Sequence, residues 1–150
     1  MRRSTCCLLV VLFGSWLSSF GQKAPKFTTP QIVATFQRLN QTADISPTTI
    51  YTPANWGTFR ISIVMVGTVA NGMGNNASWV GGVQFTDGAG ENAPDYPFDA
   101  ELFTITRQTA VAEFPIRAKA GRPIKFSVIS PYGGTEGSKY NVFVVVEQLM

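Results

Sequence analysis

The chain has no histidine, and its two cysteines, Cys6 and Cys7, both lie near its start. Without histidine, a Ser-His-Asp triad and a histidine-ligated zinc site are excluded. Charge is also sparse, at 14% of residues. No Lys/Arg cluster is dense enough to track a phosphate backbone, so nucleic acid is not an expected partner. Arg117, Lys119, Arg122 and Lys125 come nearest. They flank a turn, as the charges of a solvated edge do. Helical periodicity is missing throughout, and the glycines follow no strand-then-helix pattern, so no P-loop or dinucleotide fingerprint is present. What remains for catalysis is a carboxylate pair, as in glycoside hydrolysis, or a Ser-Lys arrangement. Neither has a sequence signature, and the chain reads as non-enzymatic.

The first 21 residues have the layout of a secretory signal peptide. Arg2 and Arg3 are followed by an apolar run over residues 6–17 and by the small residues of Ser18-Ser19-Phe20-Gly21. That run is well short of the roughly 20 apolar residues a bilayer-spanning helix needs. No other stretch qualifies, so no membrane span is expected after cleavage. The expected destination is secreted, periplasmic or cell-surface. Cleavage would remove both cysteines, and with them a thiol nucleophile, a thiolate metal site and any disulfide framework. It would also leave ten basic residues against nine acidic ones, a net of +1.

What is there is two-residue alternation. Residues 22–30 are polar, hold Pro25 and Pro30, and read as a flexible leader. The clearest strand covers residues 58–67, where Phe59, Ile61, Ile63 and Met65 share one face. Val64 and Val66 make its other face apolar too, which predicts cover on both sides. Further strands are expected over residues 31–37, 48–51, 79–85, 101–108, 111–117, 124–130 and 140–148. Phe103 and Ile105 are expected to share one face, as are Ile124, Phe126 and Val128, while Ala112, Phe114 and Ile116 are expected to face inward. Pro115 argues for an edge strand, because proline cannot donate to a ladder. Gly81-Gly82 predicts a bulge or a close backbone approach. The run 142–146 is apolar on both faces, a pattern that the chain's own fold or a subunit neighbour could bury. Loops are expected over 40–47, 69–77, 86–97 and 131–139.

Three groups of residues are candidates for binding. Trp56, Trp79 and Tyr132 sit beside turns, where aromatic rings either stack on sugars or close a core. Asp87, Glu91, Asp95, Asp99 and Glu101 are five of the nine acids in the chain. Of these, Asp87, Glu91 and Asp95 could hold Ca²⁺ through oxygen ligands, although the spacing is not that of an EF-hand; a solvated loop is the plainer reading. No other cofactor is implied. Asn40-Gln41-Thr42 and Asn76-Ala77-Ser78 fit the N-glycosylation acceptor pattern.

Tyr51-x-Pro53-x-x-x-Gly57-x-Phe59-x-Ile61 resembles the opening of a strand in the C1q/TNF-like jelly rolls. Lys119-Ala120-Gly121-Arg122-Pro123-Ile124, with the apolar strand, glycine-rich loop and aromatic-led last strand after it, is similar to that family's closing hairpin. The resemblance implies a trimer with a binding role and no catalysis. It carries over no functional residue. The expected fold is therefore all-β: one antiparallel β-sandwich over residues 31–150, jelly-roll-like, with seven or eight strands, behind a signal peptide over 1–21 and a leader over 22–30. The expected function is a non-enzymatic structural or interaction module, a homo-oligomer with a protein or glycan partner. A carbohydrate-binding module and a carboxylate-dependent hydrolase are the alternatives.

Overall fold

The alternating stretches fold into eight strands. The computed structural model describes residues 29–71, 77–87, 92–104 and 108–149, with the backbone alone over 92–99. The strands are β1 (Gln31–Gln41), β2 (Ile45–Tyr51), β3 (Gly57–Val69), β4 (Ser78–Thr86), β5 (Asn92–Phe103), β6 (Thr109–Ala118), β7 (Ile124–Ile129) and β8 (Lys139–Gln148). The expected signal peptide, and the leader up to residue 28, lie outside the described residues.

Sheet I has the order β1-β8-β3-β6, and sheet II the order β2-β7-β4-β5. Every pairing is antiparallel. Only β4 and β5 are neighbours both along the chain and within a sheet; the other connections cross between sheets. Two four-stranded antiparallel sheets with this crossing order make a jelly roll. The predicted β-sandwich is the observed one.

Alternation fixes which side of each strand is buried. On β3, Phe59, Ile61, Ile63 and Met65 are no more than 1% exposed. They meet Ile124, Phe126 and Val128 of β7 and Val83 of β4 in one core that also takes Phe114 and Ile116 of β6. Full burial of side chains of this size stabilises by about 1.5–3 kcal/mol each, before the opposing chain entropy is counted. Pro115 lies on β6, the outer strand of sheet I, where a missing N–H costs no ladder bond.

Both expectations for Gly81-Gly82 are met. The β4–β5 register shifts between Gly81 and Val83. A Cβ on Gly81 would stand 3.1 Å from Met65 Sδ and 3.4 Å from the Phe126 ring. The glycine lets the two sheets approach at that point.

Elsewhere the structure corrects the sequence reading. The fifth strand begins at Asn92 and ends at Phe103, so half of the loop expected over 86–97 is paired strand. Among its described side chains Ala100 and Leu102 are buried, while Phe103 is 36% exposed. Ile105 lies outside the described residues. The loop expected over 40–47 shrinks to a turn, because β2 already starts at Ile45. The loop expected over 69–77 is described only at its ends. On β3 and β8 one face alone is fully buried, so the predicted cover on both sides does not come from the described part of the chain. Gly81→Val is expected to cost about 1–3 kcal/mol through overpacking against Met65 and Phe126, measured as a lower denaturant midpoint.

Candidate functional site

The outer face of sheet I reads as rows across four strands. Residues directly opposite in a ladder share a face, so the registers assign the rows. Ile32, Glu147, Arg60 and Pro115 form the first, and Thr35, Val145, Ser62 and Glu113 the second. The third is Gln37, Phe143, Val64 and Val111, and the last is Asn141, Val66 and Thr109. Val64, Val66, Val111, Phe143 and Val145 therefore adjoin in one apolar patch. Val111 is 65% exposed, Phe143 is 36% exposed, and the other three are half-buried.

One end of this face is charged. Arg60 Nε donates to Glu147 Oε2 at 2.5 Å, its Nη2 also pairs with Glu147, and its Nη1 lies 3.5 Å from Glu113 Oε1. The hydrogen bond to Glu147, and then its charge, raise the Arg60 guanidinium above its ordinary range. Ser62 Oγ donates to Glu113 at 3.3 Å. Pairs screened by solvent in this way add little to stability. Their effect is to set a polar border beside the valines.

The aromatic candidates separate. Trp56 precedes β3 at one end of the sandwich, 49% exposed, with the Arg117 guanidinium 4.4 Å from its ring centre. Tyr132 follows β7 at the opposite end and is 80% exposed. Trp79 is 2% exposed, so neither ring face is open to a sugar. Its ring packs on Tyr140 with centroids 4.8 Å apart. Its Nε1–H donates to Ser138 Oγ at 3.1 Å, and that hydroxyl donates to the Thr135 carbonyl at 2.6 Å. The three rings do not form one platform.

The acidic candidates fare differently. Asp87 follows β4, Glu91 lies outside the described residues, and Asp95 falls within β5, where only the backbone is described. Among the described residues, no three His, Cys, Asp or Glu side chains cluster in a way that could hold a metal ion. Of the glycosylation-pattern asparagines, Asn40 is exposed at the end of β1, and Asn76 lies outside the described residues. Among the described residues no helix is long and apolar enough to cross a membrane.

Sequence reasoning found Val64, Val66 and the run 142–146, but it missed Val111 and Ile32 as members of the same face. Val111 lies in the outward phase of its alternation, which becomes a surface only once register is known; Ile32 has the phase of Ala34 and Phe36 and is turned outward by the register shift between Ile32 and Ala34. No protein-family profile and no curated protein sequence matches the chain.

Beneath the Tyr132 end, Tyr140 OH donates to the Ala43 carbonyl at 2.9 Å. Burial, and then the charge of Asp44, raise the phenol above its ordinary range. The folded state holds this proton more tightly than the unfolded chain. Its contribution to stability is therefore complete below about pH 10, the ordinary tyrosine range, and is lost as pH climbs beyond it. Alkaline titration followed by phenolate absorbance is expected to show Tyr140 ionising only as the fold is lost. Tyr140→Phe is expected to lessen that alkaline sensitivity and to cost about 1–3 kcal/mol at neutral pH, because the Ala43 carbonyl loses its donor.

Proposed function

We propose that this protein is an exported, non-enzymatic β-sandwich module that self-associates through the outer face of sheet I and presents its loops to a protein or glycan partner. The apolar patch of Val64, Val66, Val111, Phe143 and Val145 carries this reading. Contiguous exposed apolar surface on a folded domain marks an interaction site. Four strands about 4.8 Å apart and about ten residues long, at roughly 3.3 Å per residue, present a face of about 600 Å². Set against an equal area of a neighbouring protomer, as in a closed ring, it buries about 1,200 Å² in total, the lower bound for a specific, stable interface. The Arg60–Glu147–Glu113 group supplies a polar border beside an apolar centre, the usual anatomy of such contacts.

The trimer is the assembly that the C1q/TNF-like resemblance implies, and the jelly-roll order of the sheets supports that reading. The basic-apolar-small pattern over residues 1–21 supports export. A carbohydrate-binding module is the second reading, favoured by the half-exposed Trp56 ring beside Arg117.

Analytical ultracentrifugation tests the first reading. The purified chain is expected to sediment with a mass that is a multiple of three protomers. Val64→Lys with Val111→Lys is expected to abolish the threefold contact while the thermal melt stays cooperative. A mass with no factor of three, unchanged by the two lysines, would overturn the threefold assembly through this face.

A further inference from the structure

A jelly roll has four sheet edges, here β1 and β6 in sheet I and β2 and β5 in sheet II. Three of them carry proline within the strand. Pro47 lies in β2, Pro94 and Pro97 lie in β5, and Pro115 lies in β6 beside Glu113 and Arg117. Proline and charge are the devices by which an edge refuses a further strand. The remaining edge, β1, is 11 residues long, has no proline and carries one charge, Arg38. Ile32, Val33, Thr35 and Phe36 give it strong strand propensity.

The local geometry agrees. Register against β8 shifts between Ile32 and Ala34 and between Arg38 and Gln41, leaving residues 34–38 as a regular stretch between two irregular ends. Among the described residues, β8 alone pairs with β1. The carbonyls of Gln37 and Leu39 accept hydrogen bonds from the strand's own side chains, Arg38 Nη1 at 3.3 Å and Gln41 Nε2 at 2.7 Å. Ile32 is 64% exposed and Leu39 is 46% exposed.

We propose that β1 pairs edge to edge with β1 of a second copy, antiparallel about a two-fold axis. Antiparallel pairing makes any strand complementary to itself, so the contact is isologous and closes at two. Residues 31–37 are uncharged. In a pair centred near Thr35, the two Arg38 side chains lie at opposite ends of the shared ladder, so no like charges stand opposed. Thr35 and Gln37 share rows with Val145 and Phe143, so the pairing fuses two outer faces into one eight-stranded surface. The edge contact differs from the face contact of the proposed function. Where both form, the closed assembly holds twice as many protomers as the face alone would gather.

Two charged variants test this, built at exposed positions that the monomer fold does not use. One carries Thr35→Lys with Gln37→Lys, and the other Thr35→Glu with Gln37→Glu. Each alone is expected to cut the sedimenting mass of the wild-type chain to half, or below half where the charges, which share rows with Val145 and Phe143, also break the face contact. An equimolar mixture of the two is expected to restore it, because opposite charges then face each other across the axis. Hydrogen exchange at β1 amides is expected to be slow in the wild-type chain and in the mixture, and faster in either variant. Unchanged mass in both variants, or a mixture that stays at the reduced mass, would overturn the pairing. So would slow β1 exchange in a chain that sediments as a monomer, since another segment would then cover the edge. The face reading fails separately: with the face contact absent, the wild-type chain is a dimer that either charged variant splits into monomers.

Discussion

Met65 of β3 reaches across the sandwich to Gly81 in β4, where it and the Phe126 ring of β7 fill the space that a side chain would need. The closeness of the two sheets depends on that contact. A side chain at Gly81 would have to displace a sealed methionine or an aromatic ring, and core packing has little slack for either. The rest of the core follows from the same approach. Phe59, Ile61 and Ile63 lie along the strand of Met65, and Val142, Val144 and Val146 stand beside them on β8. Closing the ends is a separate task. Trp79, Tyr140 and Ser138 do it at one end with a tilted, packed ring pair and satisfied polar atoms. At the other, the Gly121 N–H donates to the Pro53 carbonyl at 2.8 Å and ties the 119–123 turn to the segment before β3.

The two central strands of sheet I are asymmetric. Their inward residues are fully sealed, while Val64, Val66, Phe143 and Val145 face outward on a surface that the described chain leaves uncovered. Valine and phenylalanine are favourable strand formers, so propensity accounts for part of this choice. It does not account for their adjacency. Three outward rows on four strands could have been polar at no cost to the core, as the Arg60 row is. Apolar residues gathered at one end of a face, with paired charges at the other, are what an interface centre and its rim require.

Much of this was readable before folding. The alternation of Phe59 to Met65 named the buried face of β3, Pro115 named an edge, and the paired glycines named a close approach. These signals are local and each has one physical cause. The misses also have causes. The alternation grouped Phe103 with Ile105 without saying which face of the strand is buried; pairing of Trp79 with Leu102 places Leu102 inward. Pro94 and Pro97 read as loop, yet an edge strand tolerates them because its outward N–H groups have no ladder partner. Trp56 and Trp79 both stand next to turns, and one is an exposed ring under an arginine while the other is core. Sequence proximity to a turn does not say whether the turn folds over the ring.

By itself, the sequence determined that the chain forms strands, which side of most of them is apolar, and that histidine chemistry is excluded. Side chains alternate across a strand with a period of two, so these properties are set within a few consecutive residues. The tertiary structure alone decided which strands lie side by side, which aromatic rings are sealed, and that outward valines far apart in sequence share one patch. Val64, Val111 and Phe143 meet only because β3 lies between β6 and β8 in one register, and a slip of one residue in any of the three would turn its outward set into the core.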